Sequence, residues 1–119
     1  MSTTIERAET FFEQYELALL ARDADAIALM YSVPALIVFP GDLIPVVHTD
    51  QTRDFFASAF DQYEGIRDVD RQMSMIAETP GCLWVDVTWS FQIRPSERFC
   101  YQLVDRQGEL QIAVLTPLQ

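Results

Sequence analysis

The chain has 119 residues, half of them apolar, which is enough for one continuous core, so we predict a single domain over residues 1–119. Eight basic against 18 acidic side chains give a formal charge of -10, which disfavours nucleic acid and anionic membrane surfaces as partners. No apolar run approaches the roughly 20 residues of a membrane helix, and residues 1–5 lack the basic start and apolar stretch of a secretory signal. These features predict a cytoplasmic protein.

The first two predicted elements are helices. Thr3 and Glu6 have the spacing of a capping box, and apolar residues recur at helical spacing behind them, which predicts a first helix from about Thr4 to Ala21. A second, shorter helix is predicted from Ala24 to Tyr31. It has to end before Pro34, because the residue before a proline avoids the helical region.

A strand pair and a third helix follow. Residues 35–39 are short, apolar and partly β-branched, which predicts a strand, and residues 46–47 predict a brief second strand after a turn. Thr49 or Asp50 is the predicted cap of the third helix, and Gly65 is its predicted end. The apolar stripe of this helix consists of Phe55, Phe56, Ala59, Phe60 and Tyr63.

The second half of the chain has a hydrophobic period of two. From Arg67 onward this period predicts three or four antiparallel strands in a meander, of which the last is residues 110–116. The clearest strand spans residues 82–94 and turns Trp84 and Asp86 outward. Its predicted inner face consists of Leu83, Val85, Val87, Trp89, Phe91 and Ile93.

A tight turn is predicted to join this strand to the next one, residues 98–105. Pairing Arg94 with Arg98 places Tyr101 opposite Phe91 on the inner face. The same pairing keeps the two cysteines of the chain too far apart for a disulfide. Cysteine and histidine residues also lack metal-ligand spacing, so we expect two reduced thiols, no metal and no cofactor.

The order of these elements resembles the nuclear transport factor 2-like superfamily, which has a cystatin-like fold and includes ketosteroid isomerases and SnoaL-like, polyketide-cyclase-like proteins. Two stretches carry the resemblance, namely residues 15–31, YELALLARDADAIALMY, and residues 49–56, TDQTRDFF. The resemblance implies an α+β, cone-shaped fold, in which three helices pack on a curved, mostly antiparallel sheet and enclose a pocket. It also implies a homodimer through the outer sheet face, where Trp84 would otherwise expose apolar area to water.

The resemblance to ketosteroid isomerases can be examined residue by residue. Those enzymes use a tyrosine and a protonated aspartate as donors to the substrate oxygen and a second aspartate as the base. Tyr15 matches the tyrosine, the second donor position falls near Tyr101, and Phe39 occupies the position of the base. Because Phe39 has no carboxylate, we expect no ketosteroid-type isomerisation.

Inward-facing aromatic and apolar side chains predict a pocket for a small apolar or aromatic molecule. The predicted ligand-binding residues are Tyr15, Phe39, His48, Phe56, Phe60, Val87, Trp89 and Tyr101. Tyr15 and Tyr101 are candidate hydroxyl donors to a ligand oxygen, and core packing is the alternative role of each. His48 is a candidate base or proton shuttle at the pocket mouth, and a solvated position beside a helix cap is its alternative. No residue is assigned as catalytic.

Three functions fit these features. The first is a small-molecule-binding protein, and the second is a small enzyme of the isomerase, dehydratase or cyclase type that uses His48 or an unrecognised carboxylate. The third is a dimeric interaction module whose interior is filled by side chains. Fold alone does not choose among them. An empty cavity of about 300 to 1,000 Å³ favours the first two, and a packed interior favours the third.

Overall fold

The computed structural model describes residues 3–118. Met1 and Ser2 lie outside the described residues. They are part of residues 1–5, for which the sequence predicts no secretory signal. The helices are α1 (Thr4–Leu20), α2 (Ala24–Leu29) and α3 (Thr49–Ala59), and α3 is followed by a 3₁₀ turn (Phe60–Tyr63). The strands are β1 (Tyr31–Phe39), β2 (Asp42–Val46), β3 (Asp70–Thr79), β4 (Cys82–Ser90), β5 (Glu97–Arg106) and β6 (Glu109–Leu118). Over residues 3–118 no helix is long and apolar enough to cross a membrane.

The strands form one sheet in the order β2-β1-β6-β5-β4-β3. Neighbouring strands are antiparallel except for β1 and β6, which are parallel. The register shifts between Met75 and Ala77 and between Gln102 and Leu103, and irregularities of this kind bend a sheet. The predicted α+β architecture of three helices on a curved, mostly antiparallel sheet is therefore confirmed.

Helix α1 begins at the predicted capping box. The Glu6 N–H donates to Thr3 Oγ1, and the Thr3 N–H donates to Glu6 Oε1, both at 3.2 Å. Arg71 of β3 donates to the Phe12 carbonyl at 3.1 Å and to Glu16 at 2.8 Å, which fixes the helix across the sheet. The buried face of α1 consists of Ala8, Phe12 and Tyr15.

The predicted boundary between α2 and β1 is wrong. Helix α2 ends before Tyr31, because the backbone there pairs with Ile112 of β6, whose N–H also donates to the Met30 carbonyl at 2.8 Å. Strand β1 therefore begins at Tyr31, earlier than predicted, and contains Pro34. The ladder to β6 is irregular between Tyr31 and Leu36, where the proline has no N–H to donate.

Two neighbouring predictions also need correction. Strand β2 is longer and earlier than predicted, because its pairing with β1 starts at Asp42, and Val47 is left exposed beyond its end. Helix α3 ends at Ala59, and the last turn of the predicted helix is the 3₁₀ turn. Gly65 follows it with a φ of 85°, a conformation that favours glycine.

The largest correction concerns the connection between β4 and β5. Residues 91–96 do not form the predicted tight turn. They form a loop that packs on the 3₁₀ turn, and Tyr101 pairs with Val85 rather than with Phe91. The displacement covers an even number of residues, so the strand residues keep their predicted faces. Ile93, predicted to face inward, lies in the loop and is 67% exposed.

The core lies between the helices and the inner face of the sheet. The buried residues alternate along β4 and β5 as predicted, and they are Leu83, Val85, Val87, Trp89, Phe99, Tyr101 and Leu103. Helix α1 supplies the facing aromatic side chains Phe12 and Tyr15. This packing leaves the other end of the inner face, beside α3, less completely filled.

Candidate functional site

A cavity of about 670 Å³ lies between the inner face of the sheet, the end of α1 and helix α3 with its 3₁₀ turn. The turn between β1 and β2 and the loop between β4 and β5 form its rim. Its volume lies within the range of about 300 to 1,000 Å³ that is typical of small-molecule sites. The aromatic residues of its wall are Tyr15, Phe39, Phe55, Phe56, Phe60, Tyr63, Trp89, Phe91, Phe99 and Tyr101.

The structure brings six of the eight predicted binding residues to this cavity. These are Tyr15, Phe39, Phe56, Phe60, Trp89 and Tyr101. Val87 lies on the same face of β4, but it is fully buried in the core under the helices and does not reach the cavity wall.

His48 is the second exception. It is exposed at the start of α3, where the Gln51 side chain accepts hydrogen bonds from the N–H groups of Val47 and His48 at 2.7 and 2.9 Å. The imidazole therefore belongs to a solvated helix start and is not part of the cavity wall. The prediction of His48 as a base or proton shuttle at the pocket mouth is corrected accordingly.

Four buried polar side chains lie together beside the cavity, and three of them line it. We call Tyr15, Tyr31, Trp89 and Tyr101 the hydroxyl cluster. The hydroxyl oxygens of Tyr15 and Tyr31 are 2.7 Å apart, and Trp89 Nε1 donates to Tyr101 Oη at 2.9 Å. The rings of Tyr15 and Tyr101 are edge to face with centroids 5.9 Å apart, so the two pairs are adjacent. Burial raises the pKa of all three tyrosines well above the usual value of about 10, which keeps the hydroxyls protonated at neutral pH.

The hydroxyl cluster has more protons than its internal hydrogen bonds use. Three hydroxyls and one indole N–H supply four donors, and the two hydrogen bonds use two of them. A further hydrogen bond between the adjacent hydroxyls of Tyr15 and Tyr101 would use a third donor, and one hydroxyl proton would still have no acceptor within the cluster. Because hydroxyl groups rotate, this proton can lie on any of the three tyrosines, of which Tyr15 and Tyr101 line the cavity.

Tyr31 is the member of this cluster that the sequence does not identify. Its predicted place is the end of α2, whereas it is the first residue of β1 and is 2% exposed. Its position depends on the parallel pairing of β1 with β6, which lies at the far end of the chain. No local pattern indicates that pairing.

A second group of polar side chains lies at the rim, and we call Tyr63, Arg94 and Glu97 the rim cluster. Tyr63 Oη donates to Glu97 Oε1 at 2.7 Å and lies 3.0 Å from Oε2. Arg94 donates to Glu97 Oε2 at 3.3 Å and to the Gln62 carbonyl at 2.7 Å, and its guanidinium carbon is 4.4 Å from the centre of the Tyr63 ring. Burial and the hydrogen bond to Glu97 raise the pKa of Tyr63, so this hydroxyl also remains a donor.

Glu97 was predicted to be a turn residue, yet its carboxylate lines the cavity. A signal for it exists in the sequence, because alternation backwards from Tyr101 and Phe99 places Glu97 on the inner face of β5. Asp42, exposed at the start of β2, is a second carboxylate at the cavity. Over residues 3–118 the structure brings together no group of three or more side chains that could hold a metal ion.

No protein-family model matches this sequence, and no curated protein matches it. Several solved structures are similar in fold. A candidate ketosteroid isomerase from Shewanella frigidimarina has a TM-score of 0.79 and 12% identity, with 94% of each chain covered. A protein of unknown function from Shewanella oneidensis, described as NTF-2 like, has a TM-score of 0.73 and 12% identity, with 97% of this chain and 98% of that chain covered.

A third similar structure is a candidate calcium/calmodulin dependent protein kinase II association domain from Xanthomonas campestris. Its TM-score is 0.75 and its identity 9%, with 98% of this chain and 87% of that chain covered. At these identities the similarity concerns the fold, and the chain has the nuclear transport factor 2-like fold, as predicted. The names of these proteins differ in the function they indicate, so function has to be argued from the cavity itself.

Proposed function

We propose that this protein is a cytoplasmic homodimer that binds a small, mainly apolar or aromatic molecule carrying a hydrogen-bond-accepting oxygen. The observation that carries the proposal is the pair of protonated hydroxyls of Tyr15 and Tyr101 at the wall of a largely aromatic cavity. A ligand oxygen that accepts from one of these hydroxyls gains a hydrogen bond worth about 0.5 to 1.5 kcal/mol. Aromatic walls favour flat ring systems, which bury large apolar areas against them.

The volume of the cavity argues against the interaction module as the main function, because that role was predicted to go with a filled interior. An enzyme of the isomerase type would need a base close to the hydroxyl cluster. Phe39 occupies the position expected for this base. Its ring centroid lies 5.1 Å from that of Phe55 and 5.2 Å from that of Phe99. The carboxylate of Glu97 also lines the cavity, but Tyr63 and Arg94 donate to it. Binding without proton transfer therefore accounts best for the residues at this wall.

Binding can be measured with 2-acetonaphthone, a two-ring ketone, through quenching of Trp89 fluorescence in a Trp84→Phe background. The ketone is expected to bind more tightly than 2-ethylnaphthalene, which has a similar shape and no oxygen. Tyr101→Phe should weaken binding of the ketone by about two- to tenfold, the effect of one neutral hydrogen bond. It should leave binding of the hydrocarbon unchanged.

Ser58→Ala is a matched control for the loss of a hydroxyl at the cavity wall. The Ser58 hydroxyl donates to the Phe55 carbonyl at 3.0 Å and is already satisfied. The ketone should therefore bind this variant as it binds the parent. Equal affinities of the ketone and the hydrocarbon for the parent protein would contradict the proposed role of the hydroxyls.

The homodimer is proposed to form through the outer face of the sheet. Its central residues are Trp84, Asp86, Arg98, Cys100 and Val104, and none of them faces the core. Arg98 Nε donates to Asp86 at 2.9 Å, and this hydrogen bond lowers the pKa of the carboxyl group. A neutralised ion pair beside apolar side chains suits a face that a second copy covers.

Trp84→Arg is expected to shift the protein towards the monomer, because it adds a charge to the centre of that face. Sedimentation velocity at micromolar concentrations measures the shift. Leu17→Arg, at a residue of α1 that is 56% exposed, makes the same change of charge on a different surface and should leave the distribution unchanged. A parent protein that sediments as a monomer, or a Trp84→Arg variant that dimerises as well as the parent, would refute the proposed interface.

A further inference from the structure

We infer that Glu97 is a second recognition point in the cavity, where it accepts a hydrogen bond from a hydroxyl group at the end of the ligand opposite to its acceptor oxygen. This inference rests on the proposed function and specifies the ligand class. The ligand would be a ring compound with a carbonyl oxygen at one end and a hydroxyl group at the other.

The carboxylate of Glu97 is held in place but is not saturated. Two groups, Tyr63 and Arg94, donate to it, whereas an ionised carboxylate has about four lone-pair sites. Its side chain is 24% exposed and lines the cavity. At least one acceptor site is therefore open to a donor that enters the cavity.

The charge of the rim cluster favours a neutral donor. Arg94 neutralises Glu97 and is itself anchored to the Gln62 carbonyl and over the Tyr63 ring. A cationic group on the ligand would meet the guanidinium at close range, whereas a hydroxyl needs only the open lone pair. A hydrogen bond from a neutral donor to a charged acceptor is also stronger than one between neutral groups.

Trp89 lies next to both recognition points. Glu97 is the direct cross-strand partner of Trp89, and the indole of Trp89 reaches Tyr101 Oη with its Nε1. Glu97 and Tyr101 face inward four residues apart on β5, and the indole of Trp89 lies between them on β4. A ligand of two fused rings that lies against Trp89 can contact both clusters at once.

Three probes of the same ring system test this inference. They are 2-acetonaphthone, 6-hydroxy-2-acetonaphthone and 6-methoxy-2-acetonaphthone, at a pH where the naphthol is protonated. The hydroxy ketone is expected to bind the parent protein about tenfold more tightly than the other two, which corresponds to one hydrogen bond to a charged acceptor. Glu97→Ala should remove this advantage, so that the hydroxy ketone binds the variant no more tightly than the methoxy ketone does.

The control is Asp42→Ala, which removes the exposed carboxylate at the opposite rim of the cavity. It should preserve the advantage of the hydroxy ketone. Glu97→Gln keeps the shape of the side chain and replaces a charged acceptor by a neutral one, so the advantage should fall without disappearing. This second variant keeps the test valid if Glu97→Ala fails to fold, which circular dichroism detects.

The outcomes separate the two proposals. If 2-acetonaphthone binds but the hydroxyl group adds no affinity, or if the advantage survives Glu97→Ala, the inference about Glu97 is wrong and the proposed function stands. Loss of the advantage in Asp42→Ala alone would transfer the recognition point to the other carboxylate and overturn the inference. If none of the three ketones binds the parent protein, the proposed function and this inference both fail.

Discussion

Replacing Phe12 by alanine is expected to lower the free energy of unfolding by about 3 to 5 kcal/mol, the usual cost of removing a buried phenylalanine ring. Phe12 has no exposed surface. Its ring centroid lies 4.9 Å from that of Tyr101, 6.0 Å from that of Tyr15 and 6.5 Å from that of Trp89. The substitution would leave an empty space between α1 and the sheet, directly beside the hydroxyl cluster.

Urea unfolding followed by circular dichroism measures this loss as a lower midpoint at unchanged slope. Leu17→Ala is the matched control, because Leu17 lies on the same helix and is 56% exposed. Its effect should stay within about 0.5 kcal/mol, as is usual for surface positions. If Phe12→Ala cost no more than Leu17→Ala, α1 would not pack on the sheet in the way the structure shows.

Local periodicity was sufficient to predict the elements that position the site. The capping box of Thr3 and Glu6 predicted the start of α1, and strict alternation predicted which residues of β4 and β5 face inward. Alternation remained valid although the register between these strands was predicted wrongly. The error displaced Tyr101 along β4 by an even number of residues, so it still faces the cavity.

The parts of the site that the sequence did not reveal depend on contacts between distant segments. Tyr31 joins the hydroxyl cluster because β1 pairs with β6, and Arg94 joins the rim cluster because the loop after β4 packs on the 3₁₀ turn. Loop packing and parallel pairing have no short-range sequence signal. The same reason explains why Glu97 was assigned to a turn, since its strand begins only after that loop.

Phe39→Asp is expected to raise the proton-transfer activity of the cavity far above that of the parent protein. In ketosteroid-type isomerisation a base removes a proton from a carbon next to the carbonyl group and returns it to another carbon of the substrate, while hydroxyl donors stabilise the negative charge on the oxygen. Tyr15 and Tyr101 are placed to act as those donors, and Phe39 at the wall of the same cavity has no basic group. General-base catalysis commonly contributes about 100- to 10,000-fold, so an aspartate there should raise the isomerisation rate of a Δ5-3-ketosteroid at least about 100-fold over the parent.

Phe39→Asn is the control for this prediction, because asparagine has the size and polarity of aspartate but is not a base. Both variants lose the ring contacts to Phe55 and Phe99, so a comparison between them cancels the effect of lost packing. The appearance of the conjugated ketone, followed by ultraviolet absorbance, measures the reaction. Only the aspartate variant should show it, and its rate should fall at low pH as the carboxylate is protonated. Equal rates in the two variants would show that residue 39 does not reach the bound substrate, and turnover by the parent would show that another residue already supplies the base.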